Sequence, residues 1–218
     1  HLAIKHLKAV PYLFKKKTDK IQLVYAGAML PKAYGPLEAI FKSIRANPAI
    51  FNAIEFHFIG TGKRPNDPES HSIKSLAEQY QLWQTNVYEY PQRIPYLDVL
   101  LHLDIADAIF ILGSTEPHYT PSKTYQGVLS AKPILAVLHT ASSAVKIVND
   151  SKAGLVLDFN GEEQIELIES KFATTMSSFK LFIKNYDPSR IDEQLFDAYS
   201  AKNVTKQLAE LLNIVCAK

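Results

Sequence analysis

Short apolar runs alternate along the chain with longer stretches in which apolar residues return every three or four positions. Runs of four to eight such residues bounded by turn-formers read as strands, and the longer stretches read as amphipathic helices. Strands are predicted at Ile21–Tyr25, Ile54–Ile59, Asn86–Tyr90, Ala108–Leu112, Pro133–Leu138 and Gly154–Phe159. Ala-Ile-Phe-Ile-Leu and Pro-Ile-Leu-Ala-Val-Leu are apolar on both faces, the pattern of strands covered by helices on each side. Leu37, Ile40, Phe41 and Ile44 share one helical face, as do Ile73, Leu76, Ala77 and Tyr80. Shorter helices are predicted over Pro95–Leu103, Ser122–Ser130 and Ser142–Asp150, joined by brief connections rich in Gly, Pro, Asn and Asp.

This alternation predicts an α/β fold, a Rossmann-like parallel sheet of about six strands with helices on both faces. After Phe159 the strands stop. Glu162 to Tyr186 reads as helical, Asp187-Pro188-Ser189-Arg190 breaks it, and a last helix puts Val204, Leu208, Leu211, Leu212 and Val215 on one face. The expected organisation is a connector over 1–20, a core over 21–160 and helices over 161–218 that complete the same domain.

Composition narrows the function classes. With 24 basic and 22 acidic residues among 218, bulk charge gives no reason to expect nucleic-acid binding. Lys15-Lys16-Lys17 is the local exception; it reads as a solvated connector, with a membrane-surface or phosphate contact as the alternative. Cys216 is the only cysteine, so an intrachain disulfide and a thiolate metal cluster are both excluded. No apolar run approaches the roughly 20 residues that span a bilayer, and a cytoplasmic location is expected, with a peripheral contact at the inner membrane face as an option. The chain opens on His1 without a signal-peptide layout and is expected to come from a longer protein.

The segment Tyr119 to Pro133 carries the most chemistry. It follows a strand that is apolar on both faces, at its carboxyl end, where open α/β sheets bind ligands. Thr120 or Ser122 can cap the following helix, and Pro121 suits its first turn. Lys123 then stands in that first turn, where a cation opposes the helix dipole. The position makes sense if an anion lies between the lysine and the helix end; the alternative is a solvated surface lysine.

Pro121-Ser122-Lys123-Thr124-Tyr125-Gln126, followed by Ser130-Ala131-Lys132-Pro133, resembles the P-S-K…A-x-G-K-P segment of the group 1, GT-B-fold glycosyltransferases. Other pieces fall in family order: Val24-Tyr25-Ala26-Gly27 with Gly35, Phe58-Ile59-Gly60-Thr61-Gly62, Leu100 to Leu112 with Asp104, Ala106 and Asp107, and Phe196 to Leu212. The resemblance runs from about residue 20 to the end. It implies the C-terminal, nucleotide-sugar-binding half of a GT-B fold, an acceptor domain outside this chain, and a hexosyltransferase-like reaction of polysaccharide biosynthesis that uses no bound metal or other cofactor. The isolated half is then expected to bind nucleotide and turn over poorly.

By the same resemblance Lys123 and Ser122 contact the donor diphosphate, with Gly27, Ala28 and Met29 approaching it from the first glycine loop. Tyr90, Pro91, Arg93 and Ile94 fall where the base rests, and Gln126 where the ribose is held. The family commonly has glutamates at the positions of Gln126 and His118; Glu116 and Tyr119 are the other sugar-proximal candidates. Ala131 replaces a usual glycine, and Lys32 sits loosely where a phosphate-binding cation is often found. His57 and His102 read as packing or surface residues, and His139 as a residue able to face a ligand. A phospho-receiver is disfavoured because Tyr25-Ala26-Gly27 offers no acid for Mg²⁺. A degenerate binding module and a nucleotide-sugar epimerase of the same fold stay open.

Overall fold

The computed structural model describes residues 9–117, 119–121, 123–192 and 201–216. Among these, six parallel strands form one sheet in the order β3-β2-β1-β4-β5-β6. The strands are β1 (Ile21–Ala26), β2 (Ile54–Ile59), β3 (Val87–Tyr90), β4 (Ala108–Leu112), β5 (Ile134–His139) and β6 (Gly154–Phe159). Six strands were expected and stand within a residue of the predicted bounds; the central β4 and β5, buried throughout, leave the most continuous apolar signal. Alternate residues feed opposite layers, as the two-residue period of a strand requires.

One layer joins Leu23, Phe56, Phe58, Phe110, Leu135 and Val137 to helices α1 (Tyr34–Ala46), α2 (Pro48–Phe51), α3 (Lys74–Gln79) and α7 (Ile165–Lys184). The other joins Val24, Ile59, Ile109, Ile111, Ala136 and Leu138 to α4 (Tyr96–Ile105) and α6 (Ser143–Asp150), with α5 (Lys123–Leu129) beside them. Gly127 lets α5 lie close to the sheet: a Cβ there would stand 3.1 Å from Cδ1 of Ile134.

The segment before β1 is more than a connector. Phe14 is 8% exposed and its ring stacks on His57 at 4.1 Å. The basic run is likewise tied in: Lys16 pairs with Asp107, and Lys17 Nζ lies 2.6 Å from the buried Glu55. All three lysines of the run are exposed, as the solvated reading expects, and two of them also pair with acids 91 and 38 residues away. His57 is buried as packing demands, and burial holds its imidazole down at about 4.

The last helix, α8 (Ala201–Cys216), is amphipathic as expected, but its apolar face is uncovered. Leu208, Leu211 and Leu212 are all more than half exposed. Among the described residues no helix is long and apolar enough to cross a membrane.

Candidate functional site

The chain reverses its direction of winding between β1 and β4, and the crevice outside the carboxyl ends of these two strands is the topological switch point. Three backbone bonds align that edge. Gly27 N donates to Ile59 O, Gly60 N to Tyr90 O, and Gly113 N to Val137 O, so the ladder continues one residue past each strand. A cavity of about 340 Å³ opens there. Its walls are the end of β1 (Ala26, Gly27, Ala28), the end of β2 (Ile59, Gly60), the start of α4 with the loop before it (Arg93, Ile94, Tyr96, Val99), and Lys123 and Gln126 of α5.

Six residues singled out in the sequence thus meet in one place: Gly27, Ala28, Arg93, Ile94, Lys123 and Gln126. Lys123 Nζ lies 3.6 Å above the centre of the Tyr25 ring. Its tail crosses Gly27, where an added Cβ would come within 2.6 Å of Cε. Gly27 also holds φ at +124°, a conformation that other residues adopt only under strain. Burial lowers the Lys123 ammonium from 10.5 to about 7, and no carboxylate opposes this. Tyr25 is held protonated, first by its own burial and then by the hydroxyls of Tyr119 and Tyr34; its hydroxyl donates to Ala28 O at 2.9 Å. Lys123 thus has an aromatic ring beneath its ammonium and no anionic partner among the described residues, an arrangement able to receive an anion.

Several assignments change. Tyr90 does not line this cavity: its hydroxyl is 3.3 Å from His57 Nδ1, and its ring stacks in the Phe14–His57 group. With Pro91 it borders a second cavity of about 440 Å³, on the Tyr12 and Leu13 side of the loop; Arg93 and Ile94 belong to both. The Pro91 carbonyl accepts from Gly62 N at 2.9 Å, so it is committed to the fold. Met29 packs against the core layer under α1 rather than at the cavity. Glu116 pairs with Lys32 at 3.6 Å, both exposed, and neither lines the cavity. Tyr119 enters as the neighbour of Tyr25 rather than as a cavity wall. His118 and Ser122 lie outside the described residues.

Local bonds explain the remainder. Thr120 does not cap α5; its hydroxyl bonds that of Ser143 at 2.8 Å. Ser142 caps α6 by accepting from Ala144 N. His139 Nδ1 accepts from Ala141 N at 3.0 Å, which fixes that ring in the turn after β5 and away from the cavity. Glu89 is buried yet fully satisfied by Thr61, His71 and the amides of Ser72, Ile73 and Lys74 at the start of α3. It is a helix cap, not a catalytic acid.

The sequence reading missed Tyr96 and Val99 at the cavity. Both fell inside the helix predicted over Pro95–Leu103, to which no site residue was assigned. The signal available was Tyr96 itself, an aromatic directly after the Ile94-Pro95 stop.

No protein-family profile matches the sequence, and no curated protein is similar to it. Solved structures do share its fold. The pneumococcal O-GlcNAc transferase GtfA, in complex with UDP and GlcNAc, superposes with a TM-score of 0.62 at 11% identity, over 96% of this chain and 39% of that one. The trehalose 6-phosphate synthase of Burkholderia multivorans gives 0.51 at 10% identity, over 89% and 44%. WaaG, a glycosyltransferase involved in lipopolysaccharide biosynthesis, gives 0.50 at 12% identity, over 85% and 48%. The chain spans less than half the length of each. Its fold is the Rossmann-like half of a GT-B glycosyltransferase fold.

Proposed function

We propose that this chain is the donor-binding domain of a glycosyltransferase and holds a nucleoside diphosphate sugar at the β1–β4 crevice. The observation that carries the reading is Lys123, a half-buried lysine with no anionic partner among the described residues, in one cavity with Gly27 and Gln126. A diphosphate supplies the missing charge. Gln126 then takes ribose hydroxyls as a neutral hydrogen-bonding group, and the departing diphosphate is stabilised by the lysine as the sugar moves to an acceptor hydroxyl. Arg93, an exposed basic residue, lines the same cavity, and the reading calls on no metal. Ser122 and His118 keep the roles that the resemblance implies.

The acceptor side is assigned to a further domain. Two features support this: the chain covers less than half of the related structures, and the apolar face of α8 is left exposed among the described residues. The domain alone then binds nucleotide without efficient turnover. Calorimetric titration with UDP, GDP and ADP tests the reading. Wild type is expected to bind at least one of the three and Lys123→Ala to lose most of that affinity; wild type binding none of them removes the proposal.

A second reading, a domain kept for binding and no longer catalytic, is favoured by one observation. Among the described residues that line the cavity there is no carboxylate. Sugar transfer by a longer protein carrying intact Lys123 would exclude it.

A further inference from the structure

The crevice is chemically divided. Lys123 and Gln126 furnish the α5 side, while Ile94, Tyr96 and Val99 furnish the α4 side with apolar and aromatic surface. A nucleoside diphosphate is divided in the same way, with charge at one end and a flat heteroaromatic ring at the other. If Lys123 takes the charge, the ring falls to the α4 side.

The aromatic residue available there is not Tyr90. That ring is already stacked and its hydroxyl is bonded to His57, so turning it to a ligand would break both contacts. Tyr96 is free of such ties: it is 57% exposed at the first position of α4, and its side chain makes no hydrogen bond to a described residue. Its backbone is firmly set, because Pro95 O accepts from both Asp98 N, at 3.0 Å, and Val99 N, at 3.1 Å. A rigid backbone presenting an uncommitted aromatic face at a cavity mouth is the arrangement a stacking platform needs.

We propose that Tyr96 is the platform on which the nucleobase of the donor stacks. The proposal rests on the donor-site reading above and adds to it the residue that holds the base. Stacking on a ring face accepts every base, so Tyr96 supplies affinity, and discrimination falls to the backbone edges of Arg93 and Ile94.

Wild type, Tyr96→Ala and Tyr96→Phe are each titrated with UDP and with inorganic pyrophosphate. Tyr96→Ala is expected to weaken UDP about ten- to a hundred-fold, as loss of one stacked base implies, and to leave pyrophosphate binding unchanged. Tyr96→Phe keeps the ring and is expected to match wild type. Equal UDP binding by wild type and Tyr96→Ala overturns the platform while leaving the donor site standing. Parallel weakening of UDP and pyrophosphate also overturns it, since the ring would then prop the cavity open. Wild type that binds neither probe, nor ADP or GDP, overturns the donor site and the platform together.

Discussion

A Cβ placed on Gly27 would stand 2.6 Å from Cε of Lys123 and 3.0 Å from its Nζ. The bare backbone at the end of β1 is therefore the surface on which the lysine tail lies, with the Tyr25 ring under its ammonium. Gly27→Ala adds two costs, backbone strain at φ +124° and displacement of the lysine. The strain alone is expected to destabilise by about 1–3 kcal/mol, and the displacement to weaken nucleotide binding. In a Lys123→Ala background the strain stays and the collision goes, so the cost of Gly27→Ala should shrink. Equal costs in both backgrounds, measured by urea unfolding, would show that the two residues do not share this space.

Burial lowers Lys123 from 10.5 to about 7, which couples stability and binding to pH. Between these two values the unfolded chain binds more protons at this residue than the folded one. Stability therefore rises with pH across that window and is flat, at its lower level, beneath it. Lys123→Met is expected to remove the slope. A bound diphosphate favours the charged lysine, so binding above pH 7 should take up a proton and weaken as pH climbs. Calorimetry in two buffers of different ionisation heat reads that uptake directly. An identical heat in both, with wild type and Lys123→Arg indistinguishable, would refute the coupling.

Much of this was legible in the sequence, for physical reasons that also explain what was not. β4 and β5 declare themselves because a strand buried on both faces is apolar over nearly its whole length, whatever its partners. Lys123 and Gln126 could be placed because one short helix carries them both. The engagement of Tyr90 could not be foreseen, because it depends on His57, 33 residues earlier, and on the stack of that ring with Phe14. A sequence records the ring but not what already occupies its face. The same applies to Lys16 and Lys17, whose acidic partners are remote in the chain.

Ala131 illustrates a departure that the structure explains. It follows α5 with φ +55°, a left-handed conformation that glycine adopts without strain. Its side chain is exposed, so nothing packs against the methyl group. Ala131→Gly is expected to stabilise the domain by about 1 kcal/mol, since relief of the backbone strain outweighs the added chain entropy. A lower urea midpoint in the variant would contradict the argument.

His102 fastens the segment before β1. Its Nε2 accepts from Tyr12 N at 3.2 Å and Leu13 N at 3.0 Å, while Nδ1, 2.6 Å from Asp98 O, carries the hydrogen. Only the neutral ring with that tautomer satisfies all three groups. His102→Ala leaves two amides without an acceptor and is expected to cost about 2–4 kcal/mol. Hydrogen exchange should speed up at Tyr12 and Leu13 more than in the strands. Unchanged exchange at those two amides would show that the ring does not hold the segment.

The exposed face of α8 makes the opposite prediction. Leu208, Leu211 and Leu212 are 55%, 61% and 54% exposed, so charging them removes no packing from this domain. The double substitution Leu208→Glu with Leu211→Glu is expected to leave the free energy of urea unfolding within about 0.5 kcal/mol of wild type. Phe172 of α7, which is fully buried, provides the contrast: Phe172→Ala should cost about 3–5 kcal/mol. The same double substitution should reduce binding of an apolar dye such as anilinonaphthalene sulfonate, because it breaks a continuous apolar stripe. In a longer protein that carries the acceptor domain it should instead destabilise the pairing of the two domains. A marked fall in the midpoint for this chain alone would mean that α8 folds back onto its own sheet in solution, and the assignment of its apolar face to another domain would fail.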